Sequence, residues 1–564
     1  MNRSSSKTRS SSSLLTLAAA FAVVFLLTAL MGVWAAYDRS SAWQALRLIA
    51  LGLALAAAVV AIGRLGGNRA LGLLSVAMAF LAGAIGVYFL LAYDWTAGTE
   101  KFALLQRIGL WVQAHRPAIA LSEDINANVA ANGLILSLFL GLGGLLWAIR
   151  ERLGLLLLVT LPPWLAGLAA LVLTMSRGAW LGAGAGMLAM IYLLLRRRVA
   201  GNRPLRLALD LVALAASLLV AAAFWAAVRS PDAVQALGSV PAGGSAISRA
   251  TLWRDGLDLV ADYPFTGSGL RSTMMVYSSY GLLLHVGYIL HMHNLFVQIA
   301  VEQGVMACLA FLGLLAVAAA NVLAVTRRGC RAWRFGLAAG GALAALAING
   351  MLDAGVYGSL LAPVLFLPIG FALAADPGPS KTHDRLRDWP LAVGLITAAA
   401  FLLIVIIPAG RAMVQTNLAA VAQTRAELSV YTWPVWPLQD ELRRSPEIDL
   451  APAIARYQAA LALNPRNAAA NRRLGQIELS RGEYESARSH LEAAYAVAPG
   501  NRATRQMLAE SYAIAGDTAA AAAIFRTVDT GNGQIDARLF WYEHIGEPER
   551  AERIRSAERK YHNE

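Results

Sequence analysis

Cysteine and charge are both scarce in this 564-residue chain. Only two cysteines occur, Cys308 within an apolar stretch and Cys330 in a basic turn, which excludes a disulfide framework and a cysteine-rich metal centre. Charged residues make up 15% of the sequence against 57% hydrophobic, and mean hydropathy is +0.53. So apolar a composition excludes an ordinary soluble domain and implies a membrane. The net charge of +13 would point to nucleic acid in a soluble protein. Here the basic residues are explained by their placement against the membrane spans, and no nucleic-acid partner is expected.

The apolar residues come in long runs. Residues 1–13 are rich in Ser and basic residues, and the run Leu14 to Ala36 is too long for a signal-peptide core and lacks a convincing cleavage site, so it reads as a retained span. Further runs fall near 43–63, 70–92, 129–149, 153–175, 178–195, 205–228, 294–326, 333–350, 359–375 and 390–409. The expected fold is all-α, a polytopic bundle of about eleven transmembrane helices. Alternate connections carry Arg64, Arg69; Arg150, Arg152; Arg196, Arg197, Arg198, Arg203, Arg206; Arg327, Arg328, Arg331, Arg334; and Lys381, Arg385, Arg387. Basic residues near span ends resist translocation, so these face the cytoplasm, as does the N-terminus. The two long segments 93–128 and 229–293 are then exported, and so is the tail.

From about 411 the sequence turns Arg-, Glu- and Ala-rich. Pro465 and Pro499, Asn467 and Asn501, Leu474 and Leu508, Gly482 and Gly516, and Ala487 and Ala521 are each 34 apart (499 − 465 = 34). That period resembles the tetratricopeptide repeat, an α-solenoid that usually binds peptide or protein. The expected domains are a membrane unit over 1–410, a linker over 411–450 and a repeat domain over 451–564.

On the exported side, HMHNLFVQIAVEQG (291–304) opens a span with polar groups that are expensive in hydrocarbon. Ser176-Arg177-Gly178 forms a short hairpin on the same face, and Arg249 lies in the long loop. A guanidinium can fork onto phosphate with two charge-assisted hydrogen bonds, or simply snorkel to headgroups. Pro264-x-x-Gly267-x-Gly269 reads as a turn in which backbone approaches a ligand. Segment 94–118, with Trp95, Phe102, Leu105, Ile108 and Trp111 between Lys101 and Arg107, reads either as an amphipathic helix in the outer leaflet or as a surface helix on the bundle. Asp255, Asp258 and Asp262 share one helix face that reads as solvated. Tyr277, Tyr280 and Tyr288 suit an interfacial belt as well as sugar stacking.

Together these residues resemble the O-antigen ligase and polymerase family, bacterial membrane glycosyltransferases that move glycans off undecaprenyl diphosphate. The family pattern H-[NSQ]-x9-G-x-x-[GTY] is matched by His293, Asn294 and Gly304, with Ala307 departing at the last position. Arg177 in SRGAWL, Arg249 before the Pro-x-x-Gly-x-Gly pattern, and Asn126 and Asn128 at the start of a span are also similar, over roughly 120–370. The resemblance implies a multi-pass protein of the bacterial cytoplasmic membrane that is metal-independent, inverting and without cofactor. No Asp-x-Asp motif occurs on the exported segments, in keeping with a metal-free site. Arg177 and Arg249 would neutralise the departing diphosphate and His293 would take the acceptor's proton. His291, Asn294, Gln298, Glu302, Asn128, Gly267 and Gly269 are the expected substrate-binding positions. The acceptor could be a glycan, a lipid or a protein side chain, the last as in the protein oligosaccharyltransferases of this family. Membrane lipids and a protein bound by the repeats are further expected partners. A lipid-glycan flippase is the rival, although such a transporter should carry ionisable residues at mid-membrane in several spans.

Overall fold

The computed structural model describes residues 12–96, 102–117, 125–229, 243–283, 289–327, 330–376, 402–404, 406–431, 437–528 and 534–563. Among these, helices are the only extended regular elements. The chain opens with α1 (Ser12–Ala35) and α2 (Arg39–Ala92), the latter capped by the Asp38 carboxylate on the Ser40 and Ser41 N–H groups. The two runs expected at 43–63 and 70–92 are the arms of this one 54-residue helix, broken where Gly67 takes φ 60°. A Cβ on Gly63 would meet the Leu71 side chain at 2.8 Å, so the arms fold back on each other.

Next come α3 (Ala103–His115), α4 (Ala127–Arg150), α5 (Gly154–Leu173), α6 (Arg177–Arg198) and α7 (Arg203–Arg229). They are followed by α8 (Gly243–Asp262) and a short α9 (Thr273–Val276) that runs into a π turn at Tyr277–Gly281. The expected span 294–326 breaks at Gly304 into α10 (Leu295–Gln303) and α11 (Val305–Val325). Then α12 (Trp333–Gly350) leads through a 3-10 turn into α13 (Leu367–Ala374), which is buried and too short to cross alone. The run at 390–409 lies largely outside the described residues.

Seven described helices are long and apolar enough to span: α1, α2, α4, α5, α6, α7 and α11. The protein is a multi-pass, all-α membrane protein. The central stretch of α4 is 83% buried and that of α7 only 6%, which makes α4 the middle of the bundle and α7 a lipid-facing wall. Small residues bring the backbones together, as where Gly144 abuts Val76 and Gly86 abuts Gly167.

The tail is a helical solenoid that begins earlier than expected. Within the predicted linker, α14 (Pro408–Leu428) packs on the repeat helices, followed by α15 (Gln439–Arg444). Then follow α16 (Ala451–Leu463), α17 (Ala468–Arg481), α18 (Tyr484–Val497), α19 (Arg502–Ala515), α20 (Thr518–Phe525), α21 (Gln534–His544) and α22 (Pro548–Asn563). The repeat spacing has a local cause. Asn467 and Asn501 cap α17 and α19, while Gly482 and Gly516 end them at φ 84° and 95°, conformations that favour glycine.

Candidate active site

The histidine loop is shaped by the start of α10. Asn294 caps that helix, its Oδ1 accepting from the Phe296 and Val297 N–H groups at 3.0 and 3.1 Å, and its Nδ2 donates to the Met351 carbonyl at 3.2 Å. His293, one residue earlier, takes φ +47°, a strained conformation for a side chain of its size. Beneath the loop, Gln298 Oε1 accepts from the Met292 N–H at 2.9 Å, and Gln298 Nε2 donates to Thr273 Oγ1 and Glu302 Oε1 at 2.8 Å each.

The imidazole of His293 points toward α12's end. Its Nδ1 lies 3.5 Å from Asp353 Oδ2, an electrostatic contact that is long for a hydrogen bond, and both atoms are buried with no hydrogen-bond partner. The other carboxylate oxygen, Oδ1, accepts from Asn132 Nδ2 at 3.0 Å and from the Gly355 N–H at 2.8 Å. Asn349 in turn donates to Asn132 Oδ1. Burial pushes the Asp353 carboxyl up, but His293, His291 and the Gly355 N–H outweigh it and hold the group below the usual carboxylate range. His291 stacks edge-on against His293, with centroids 4.2 Å apart, and burial together with His293 pulls it down to about 4. Burial also lowers Arg249, opposed by the Asp353 charge and reinforced by that of Arg177. Arg249 of α8 is therefore within electrostatic reach both of Asp353 and of Arg177, which lies at the first turn of α6.

Residues 163–312, a stretch that contains Arg177, Arg249 and His293, match the family model described as O-antigen ligase. Over that stretch the chain is similar to the O-antigen ligase family. Residues 478–539 match the tetratricopeptide repeat, and comparison with curated proteins gives no match. That likeness supports glycan transfer as the general activity. Asp353 falls beyond the matched stretch, and nothing in the sequence marked it except a lone carboxylate just after an apolar run.

The other expected positions of the ligase site divide by location. His291 joins the cluster, and Asn128 lies one turn before Asn132, whose Nδ2 donates to its carbonyl at 2.7 Å. Gln298 and Glu302 are 4% and 3% exposed and brace the histidine loop from below. Gly267 and Gly269, at φ +68° and +109°, do serve a close approach, but to the chain's own backbone: a Cβ on Gly267 would lie 2.2 Å from the Glu302 carbonyl carbon, and one on Gly269 2.4 Å from Ala36 Cα. This turn wedges against the helix break, where Gly304, at φ +87°, abuts Phe265. The spacing from His293 to Gly304 thus measures the length of α10. His291, His293 and Asp353 place donor atoms within 4.8 Å of one another and could hold a metal, but two neighbouring guanidinium groups make the space more favourable to an anion. Within the described part of segment 94–118, α3 has Leu104 and Trp111 exposed, while Phe102 stacks on Trp180 of α6.

Two surface expectations are corrected. Asp255 and Asp262 are 4% and 1% exposed, because α8 packs against the solenoid instead of water. Asp262 pairs with Arg472 and Arg473, Arg473 Nε donating to it at 2.9 Å, and the Arg473 guanidinium lies 3.7 Å from the Tyr280 ring centre. Tyr277 donates to Asp255 at 2.9 Å and Tyr280 to Glu427 at 3.0 Å, so both are buried structural residues, neither belt nor sugar platform. Tyr288 lies outside the described residues. Arg472 and Arg473 of α17 thus grip the chain's own segment around Asp262 and Tyr280.

Proposed function

We propose that the protein transfers a glycan from undecaprenyl diphosphate to an acceptor at the outer face of the bacterial cytoplasmic membrane, with inversion and without a metal. The reading is supported by the electrostatic reach of Arg249 to Arg177 and to Asp353, whose carboxylate lies 3.5 Å from His293 Nδ1. The acceptor hydroxyl oxygen attacks the anomeric carbon as the bond from that carbon to the diphosphate oxygen breaks, and the bonding pair leaves with undecaprenyl diphosphate. Arg177 and Arg249 neutralise the charge gathering there. The acceptor proton passes to His293 Nε2, since Nδ1 faces Asp353, and the carboxylate steadies the imidazolium that forms. Attack opposite the leaving group inverts the anomeric centre. Asn294 and His291 shape the loop, and the exported solenoid holds α8.

The test is genetic and chemical. Deleting the gene should remove or shorten a surface glycan, and the wild-type gene should restore it. His293→Ala, Arg177→Ala and Arg249→Ala should each fail to restore it at normal expression, with transfer reduced by about 10²–10⁴-fold for the base. Normal glycan from all three variants would end the assignment.

A further inference from the structure

At the opposite end of α6, about 30 Å from Arg177 at 1.5 Å per residue, lies a second polar cleft. It has a volume of about 190 Å³ and is lined by Arg196, Arg197, Ala200, Arg206, Asp210, Thr326 and Arg327, from α6, α7 and the end of α11. Its four arginines and one aspartate sum to +3 (4 − 1). The walls are fixed in place. Arg196 Nε and Nη2 grip the two Asp210 carboxylate oxygens at 2.8 and 3.2 Å, and Tyr192 donates to the same group at 2.7 Å. Arg197 donates to the Thr326 carbonyl at 3.3 Å and to that of Arg327, and its guanidinium lies 4.7 Å from the Trp333 ring centre. Arg196 grips the one lining acid, and the lining carries a surplus of positive charge around a space large enough for a phosphate.

We infer that this cleft binds the phosphate of an anionic phospholipid in the adjoining leaflet. The wall supplied by α7 favours lipid over a soluble anion: among its described side chains only Val228 is buried, so this wall of the cleft is itself exposed to the bilayer. Guanidinium groups suit phosphate oxygens, and a basic pocket between helices at an interface recruits anionic headgroups from a membrane that holds them in abundance. The tryptophan beneath Arg197 places the pocket at headgroup depth.

The test uses the full-length protein in nonionic detergent, with lipid binding followed by native mass spectrometry. Phosphatidylglycerol should bind at least tenfold more tightly than phosphatidylcholine with the same chains. Arg206→Gln and Arg327→Gln should each weaken phosphatidylglycerol by about fivefold, and together by about 25-fold. The unliganded variants should melt with the wild type, and Arg69→Gln, an exposed arginine outside the cleft, should leave binding unchanged. Equal binding of the two lipids, unaltered binding by the double variant, or an equal loss with Arg69→Gln would overturn the inference. Inorganic phosphate binding as tightly as phosphatidylglycerol would overturn the lipid source.

Discussion

Asp262 is a residue outside the histidine cluster whose loss should be felt strongly. Its side chain is 1% exposed and lies between Arg472, at 4%, and Arg473, at 0%. Replacing it with alanine leaves two guanidinium groups buried without their counter-charge. Breaking a buried pair in this way costs about 3–5 kcal/mol, and about 4 kcal/mol corresponds to roughly a 10³-fold change in an opening equilibrium. Amide hydrogen exchange on the intact, detergent-solubilised protein measures it: amides of α8 and α17 should exchange about 10³-fold faster in Asp262→Ala. An exposed pair provides the reference. Glu485 and Arg488 are 80% and 36% exposed, and Glu485→Gln should change exchange by no more than about fivefold. Removing all the charge, with Asp262→Leu, Arg472→Met and Arg473→Leu combined, should restore most of the protection, because an apolar isostere carries no desolvation penalty. Exchange in Asp262→Ala as slow as in Glu485→Gln would refute the claim that this network holds the solenoid to the loop.

Three further outcomes are expected. Asp353→Asn keeps the side chain's shape while removing the charge beside His293, and should lower kcat about 10²-fold with KM changed less than about threefold, measured with purified lipid-linked donor. Gly267→Ala must place a methyl group against the Glu302 backbone at positive φ, and should cost about 2–5 kcal/mol, seen as a lower melting temperature in detergent; Gly184→Ala, with open space around it, should not. Burial, then the charge of Asp255, raises Asp258 to about 7 from 3.8, with Asp262 adding to the rise and Arg472 and Arg254 opposing it. The folded state thus holds this proton more tightly, so docking of the solenoid weakens as pH rises from about 4 to about 7 and stays weakened above. Proteolytic release of the tail should increase across that window, and Asp258→Asn should flatten the rise.

The sequence announces most of the helices, because a bilayer demands long apolar runs and the solenoid repeats its caps at a fixed interval. It is silent on where a run breaks. The reversal at Gly67 and the cut at Gly304 depend on what packs against each glycine, which a hydropathy count does not contain. Arg177, Arg249 and His293 could be picked out as polar groups at one end of their spans. Asp353 escaped because a single acid after an apolar stretch gains meaning only when Asn132, more than two hundred positions earlier, is seen beside it. The acidic face of α8 was misjudged for the same reason: spacing reveals that three carboxylates align, but not that arginines 210 positions later replace water as their solvent.

That separation has a temporal side. A growing chain delivers Asp262 to the membrane 210 residues before Arg472 exists, so a half-made molecule lacks the ion pair that ties α8 to the solenoid. The tie between loop and solenoid can therefore close only after most of the chain has been made.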